Sequence, residues 1–252
     1  MPTELTDHIA IVTGSARGIG ASIARTLAEA GARVAIVDLD ASGAAEQASQ
    51  LTSEGHVALS AGVDVTDEGD VAGLVARIEQ EWGRPDILVN NAGISQPAPT
   101  LEMTTASWRR VVEVNLTAAF ICSKSVLAGM RENGWGRVVN VVSFAAKSSP
   151  IYADNASYAA SKAGLVGLIH NLAVEFAPHG ITVNGVAPGI VDTELLRGAH
   201  TPERRAELLR RLPVGRFTRP DEVASLIAFL ASESAGSITG EIVNINGGLY
   251  LD

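Results

Sequence analysis

The sequence predicts an α/β fold in which a parallel sheet carries helices on both faces. Three observations lead there. Short β-rich runs alternate with longer helical patterns almost from end to end. The β-rich runs are continuously apolar, as strands covered on both faces are, and lack the in-out alternation of half-exposed hairpins. No Pro/Ser linker, repeat or low-complexity segment divides the 252 residues, so one domain spanning 1–252 is expected.

The elements follow in order. I-A-I-V at Ile9–Val12 is the first strand and runs through a Gly-rich turn into a helix near Gly18–Ala30. V-A-I-V at Val34–Val37 closes on an acid and leads to a helix near Gly43–Ser53. V-A-L-S-A at Val57–Ala61 precedes a helix near Asp67–Trp82, and I-L-V at Ile87–Val89 precedes a long helical stretch, Thr105–Glu132. V-V-N-V-V at Val138–Val142 comes before a helix at Ser157–Phe176. Thr182–Val186, a helix near Pro220–Ala231 and Ile242–Ile245 complete seven strands. Thr193–Pro213 departs from the pattern; polar and charged, it reads either as a surface helix or as a mobile lid.

Composition narrows the function. The chain is 46% hydrophobic and 19% charged, enough to bury a sizeable core. A formal net charge of -9 argues against nucleic acid or an anionic membrane surface as partner, since phosphate binding needs clustered Lys and Arg. The single cysteine, Cys122, cannot form an internal disulfide, which suits a reducing cytoplasm and a packing role. The opening M-P-T-E-L-T-D-H lacks a basic region followed by an apolar run, so no signal peptide is expected. No apolar stretch approaches the roughly 20 residues of a membrane helix, and a cytoplasmic location without membrane association is expected. His8, His56, His170, His179 and His200 are scattered without ligand spacing, so no metal is expected.

Two ends of a binding crevice can be read from motifs. T-G-S-A-R-G-I-G places Gly14, Gly18 and Gly20 between the first strand and the first helix. Glycines there let the chain turn sharply and let a pyrophosphate approach the free N–H groups and dipole of the helix N-terminus. Asp38, 18 residues beyond Gly20, can accept hydrogen bonds from adenosine ribose hydroxyls and repels a 2′-phosphate. It favours NAD over NADP, although D-L-D-A-S is also good cap chemistry and Arg17 could pair with a 2′-phosphate. Asp64, and Asn90 with Asn91-Ala92-Gly93, fall where strand ends meet the adenine side. At the other end, Y-A-A-S-K puts Tyr158 and Lys162 at i and i+4, on one helix face about 5–6 Å apart at Cβ. A free tyrosine with a pKa near 10 is a poor base. A neighbouring ammonium and the positive charge of an oxidised nicotinamide would favour phenolate, able to take a proton from an alcohol or return it to a carbonyl oxygen. Ser143, directly after a strand, could hydrogen-bond the reacting oxygen.

T-G-S-A-R-G-I-G, N-N-A-G, the Asn of E-V-N-L, a Ser on the fifth strand, Y-A-A-S-K and P-G-I-V-D-T stand in that order along essentially the whole chain. In this the sequence resembles the short-chain dehydrogenase/reductase family. The resemblance implies a seven-stranded parallel sheet in a Rossmann arrangement and a catalytic tetrad of Asn115, Ser143, Tyr158 and Lys162. By it Tyr158 is the general acid/base, and Lys162 binds the nicotinamide ribose and lowers the Tyr158 pKa. Ser143 polarises the substrate oxygen, and Asn115 holds a water that relays protons from Lys162. It implies cofactor contacts from Gly14, Arg17, Gly18, Ile19, Gly20, Asp38, Asp64, Val65, Asn91, Ala92, Gly93, Tyr158 and Lys162. Pro188, Gly189, Ile190 and Thr193 would orient the nicotinamide carboxamide, which moves 193–213 towards a substrate lid. The gap from Ser143 to Tyr158 is 15 residues, two longer than in many members. Ser148 and Ser149 are alternatives at shorter gaps, but Ser143 fits the strand end. The longer loop makes Ile151 and Tyr152 candidates to line a substrate pocket, with Ser95 and Ala145.

The reaction implied is hydride transfer between a nicotinamide cofactor and a secondary alcohol or ketone. A small polar or cyclic alcohol is favoured, with a 3-oxoacyl carrier-protein reductase as the alternative. Such reductases often carry basic residues where Gly134 and His179 stand here, leaving an acidic carrier little to dock on unless Arg131 and Arg137 supply a patch. A catalytically idle dinucleotide-binding protein would be expected to have lost part of the tetrad, and all four residues are present. The family's C-terminal strand and tail, resembled by I-T-G-E-I-V-N-I-N-G-G-L-Y-L-D, imply a homotetramer.

Overall fold

The structure, a computed structural model, describes residues 4–147, 154–199 and 201–251. Seven parallel strands form one sheet: β1 (Ile9–Thr13), β2 (Arg33–Asp38), β3 (Ala58–Gly62), β4 (Ile87–Asn90), β5 (Gly136–Val141), β6 (Ile181–Pro188) and β7 (Ile242–Ile245). Their order in space is β3-β2-β1-β4-β5-β6-β7. This is the Rossmann order extended by one strand. The chain reverses its winding between β1 and β4, which opens a crevice at the carboxyl ends of those strands.

The apolar runs explain the layering. Residues alternate across a strand, so Ile9 and Ile11 join one hydrophobic cluster and Ala10 and Val12 the other. The first cluster packs against α3 (Glu68–Glu81), α5 (Ala118–Asn133) and α6 (Ala156–Phe176). The second packs against α1 (Gly18–Glu29), α2 (Ala41–Ser53) and α9 (Pro220–Leu230). Fully buried Ile23, Leu27, Ile36, Ile78, Ile87 and Ile169 anchor these layers, each side chain contributing about 1.5–3 kcal/mol by leaving water. Asp40 and Asp67 cap α2 and α3 by accepting from backbone N–H groups of the first turn.

The sequence places every strand within two residues of its observed ends, with two differences elsewhere. The stretch read as one helix from Thr105 is α4 (Thr105–Val112), a π-turn (Glu113–Thr117) and α5. It is also long and apolar enough, by length and composition, to cross a membrane, with an 18-residue window of mean hydropathy 1.5. That corrects the reading that no such stretch exists. Asn115, Thr117, Ser123 and Lys124 interrupt the apolar run without preventing a high average. More than half of that window is buried inside the protein, where Ile121, Cys122, Val126 and Met130 pack on the sheet.

The polar segment after β6 forms α7 (Glu194–Ala199) and α8 (Pro202–Leu209). A separate small cluster of Ile190, Leu208, Leu212 and Phe217, joined by Leu196 and Leu249, seats it on the strand ends. Asp192 accepts from both Arg197 and Arg205 at 3.2 Å, tying the two helices to the strand exit.

Candidate active site

All the expected cofactor-contact regions lie at the carboxyl edge of the sheet. Gly14 follows β1, Asp38 ends β2, Asp64 and Val65 follow β3, Asn91 follows β4, Ser143 follows β5 and Pro188 ends β6. The glycine-rich turn is shaped for a ligand. A Cβ on Gly20 would stand 2.1 Å from the Gly14 carbonyl oxygen, so no side chain is possible there. Gly18 has φ +61°, and a Cβ on it would meet nothing closer than Thr193 Cγ2 at 3.8 Å. Its side of the turn therefore faces open space bounded by the segment after β6. The helix behind it, α1, starts without a side-chain cap and without an acid in its first turn, leaving its positive end available to an anion. These features fit a dinucleotide pyrophosphate.

The side chains nearby are partly committed to building the crevice. Asn91 donates through Nδ2 to the carbonyls of Thr13 (3.0 Å) and Gly14 (2.8 Å). Thr13 Oγ1 accepts from the N–H groups of Asn91 and Ala92, each at 3.1 Å. This bolts the ends of β1 and β4 together across the winding reversal. Asn91 therefore holds the glycine turn in place, and Thr13 is a functional position that the motifs did not single out. Asp38 accepts from the backbone N–H of Ala16 and of Asp40, both at 3.0 Å. One half-buried carboxylate thus caps two backbone N–H groups at the end of β2. Arg17 is exposed at the α1 N-terminus, and its charge helps hold the Asp40 carboxyl below its ordinary value, after the hydrogen bonds from Ser42 and Gly43. Asp64 is likewise held low by Thr66, which donates from both N–H and hydroxyl, with the Arg110 guanidinium 3.9 Å away. Val65 is buried and lines a small pocket with Val114, Asn115, Cys122 and Lys162.

The four tetrad residues converge on the same edge. Lys162 is buried and its Nζ donates to the Val141 carbonyl at 2.7 Å, which anchors α6 to the end of β5. It lies 5.9 Å from the centre of the Tyr158 ring, one turn away on the same face. Ser143 Oγ accepts from the Ala145 N–H at 3.2 Å, and the Ser143 hydroxyl stands near enough to the Tyr158 hydroxyl to favour its phenolate. Asn115 sits in the π-turn, buried, and its carboxamide pairs with the Ile94 backbone: Oδ1 accepts from N–H at 2.8 Å and Nδ2 donates to C=O at 3.0 Å. Ser95 exchanges hydrogen bonds with Asn155 just ahead of α6, and Ala145 is half-buried beside Ser143. Ile151, Tyr152, Ser148 and Ser149 lie outside the described residues.

From the chain's own groups, burial pushes the Tyr158 phenol above its ordinary value, and the Ser143 hydroxyl only partly opposes this. Burial also lowers Lys162 to about 8. The i and i+4 spacing suggested a lowered phenol from the ammonium together with an oxidised nicotinamide; in the chain by itself burial is the larger influence on Tyr158. The candidate basic patch also changes. Arg137 is only 3% exposed, stacks on the Trp135 ring at 4.3 Å and donates to the carbonyls of Gly136 and Ser232. It is committed to these contacts and to Glu233 at 3.7 Å, which leaves exposed Arg131 as the free member of that patch. Cys122 is buried, and burial pushes its thiol up to about 12, leaving it inert.

Comparisons with known proteins agree with this geometry. The family described as enoyl-(acyl carrier protein) reductase matches residues 14–250. The cis-4-hydroxycyclohexanecarboxylate dehydrogenase of Sinomonas cyclohexanicum is 46% identical over 249 residues, covering 98% of each chain. The 3-oxoacyl-(acyl-carrier-protein) reductase of Escherichia coli is 40% identical over 243 residues, 96% of this chain and 97% of that one. Among solved structures, a 7α-hydroxysteroid dehydrogenase complexed with NADH and 7-oxo glycochenodeoxycholic acid superposes with a TM-score of 0.93 at 35% identity. That match covers 98% of this chain and 96% of the other.

Proposed function

The chain belongs to the short-chain dehydrogenase/reductase family, a nicotinamide-dependent oxidoreductase acting on CH–OH groups, and from that premise we propose that it oxidises a small cyclic or polar secondary alcohol with NAD. Within that class a cyclic hydroxy acid is the substrate type we favour, on the strength of the 46% identical relative. The observation that carries the chemistry is the Ser143–Tyr158 hydroxyl pair beside buried Lys162 at the mouth of the crevice.

In this reading the alcohol oxygen lies between the Ser143 and Tyr158 hydroxyls. Ser143 donates to it, and Tyr158 Oη, as phenolate, takes its proton. A nicotinamide held along Gly14, Gly18, Asp38 and Lys162 would supply the hydride acceptor, so that loss of the proton to Tyr158 and of the carbinol hydride leaves a ketone. Lys162 supports the phenolate by charge, and Asn115 holds the Ile94 backbone beside it. The buried setting strengthens each of these interactions relative to water. The 193–213 segment serves as a lid over the substrate. It is seated by an apolar cluster of four buried residues, a small contact that opening could break.

Asp38 supports NAD over NADP, because its carboxylate would face a 2′-phosphate. Asp38→Ala should lower the NAD/NADP ratio of kcat/KM by tenfold or more. A ratio unchanged in that variant would leave Asp38 as no more than the cap of Ala16 and Asp40. The second reading, a carrier-protein ketoreductase, is favoured by the 40% identical relatives and disfavoured by burial of Arg137. A panel of cis-4-hydroxycyclohexanecarboxylate, polyols and 3-hydroxyacyl thioesters, run with each cofactor, separates the two. Preference for the hydroxy acid with NAD is expected; preference for the thioester with NADP would replace this reading by the second. We favour a homotetramer in a reducing cytoplasm: Trp108, Phe120 and Val174 expose apolar surface on α4, α5 and α6, which a second copy of the chain could cover. A monomer in sedimentation at micromolar concentration would reject that assembly.

A further inference from the structure

Both amide hydrogens of Asn115 are spent. One goes to the Ile94 carbonyl at 3.0 Å and the other to Ser161 Oγ at 3.0 Å. Ser161 is fully buried, one residue before Lys162, and its single hydroxyl hydrogen goes to the Tyr158 carbonyl at 2.8 Å. It therefore meets Asn115 as an acceptor. The result is a continuous chain of hydrogen bonds from the loop after β4, through the π-turn, to the backbone of the catalytic tyrosine. The space beside it is closely filled: a Cβ on Gly93 would lie 3.3 Å from Asn115 Oδ1 and 3.6 Å from Lys162 Nζ.

We propose that Ser161 is a positioning residue, whose hydroxyl fixes the Asn115–Ile94 pair against the Tyr158 turn of α6. The inference rests on the reading of Tyr158 as the acid/base. Without the hydroxyl, an Asn115 hydrogen is left buried and unpaired, and such groups are costly to leave so. The carboxamide then turns to find another acceptor, and its hold on Ile94 loosens. The floor beneath the reacting oxygen shifts relative to Tyr158, and a displacement of this order costs rate more than binding.

The test compares the parent with Ser161→Ala and Ser161→Thr. The alanine variant should lose about tenfold in kcat, with KM for NAD within about twofold of the parent. Amide exchange at Ile94 should quicken about tenfold. The threonine variant keeps the hydroxyl and should recover most of both. Unchanged kcat and Ile94 exchange in the alanine variant would overturn the proposal, as would a threonine variant no better than alanine. An alanine variant that neither folds nor binds NADH would assign Ser161 to folding and overturn it equally. Tyr158→Phe run alongside keeps the two ideas apart. Full activity there would refute the acid/base reading, whereas the Ile94 exchange result stands independently of turnover.

Discussion

Tyr158→Phe should lower kcat by about a thousandfold while leaving the Kd for NADH within a few-fold of the parent. Positioned proton transfer contributes roughly 10²–10⁴-fold, and phenylalanine removes only the oxygen that performs it. The ring is half-buried and keeps its packing in the variant, which gives up at most a hydroxyl contact with Ser143 worth about 1 kcal/mol. Stopped-flow NADH fluorescence and steady-state rates measured on one preparation check both halves. Residual activity above a tenth of the parent would mean that another group moves the proton.

The second large effect runs in opposite directions for activity and stability. Burial depresses Lys162 from its ordinary 10.5 to about 8, so the folded chain binds this proton less tightly than the unfolded chain. Below pH 8 the ammonium is carried in both states, and its desolvation cost falls on the folded one. At about 1.4 kcal/mol for each tenfold change, that cost is roughly 3 kcal/mol. Between about pH 8 and 10.5 the unfolded chain holds more protons, so this group's contribution makes stability rise with pH across that window and level off above it. Lys162→Met should therefore raise the neutral-pH melting temperature of the cofactor-free protein, partly offset by loss of the hydrogen bond to Val141. It should also flatten that rise with pH and reduce turnover by more than a hundredfold. A melting temperature that falls in Lys162→Met would show that the bond to Val141 outweighs the buried charge.

Much of this was legible in the sequence because it depends on short-range rules. Four-residue apolar runs such as I-A-I-V and V-A-I-V can only be strands buried on both faces when helices alternate with them. The glycine spacing and the Tyr158–Lys162 step are likewise local. What escaped reading depends on contacts distant in the chain. Glu113–Thr117 contains ordinary helix-compatible residues, and nothing in E-V-N-L-T announces a π-turn; it becomes evident only where Asn115 pairs with Ile94. Thr13 looks like the last residue of a strand until β4 brings Asn91 against it. Arg137 looks like a surface charge until Trp135, Gly180 and Ser232 close over it. Desolvation of Tyr158 is invisible in spacing, because it measures how much of the rest of the protein lies around the ring.

The π-turn carries one residue more per turn than the helices on either side, so α4 and α5 differ in rotational phase by about 100°. Each can then present its own inward face: Val111 on the first, Ala118, Ile121 and Cys122 on the second. A one-residue deletion within 113–117 would bring the two into phase, and it would rotate the whole inward surface of α5 away from the sheet. The exposed positions of this stretch can change letter, but its length is fixed by the inward faces on either side of the turn.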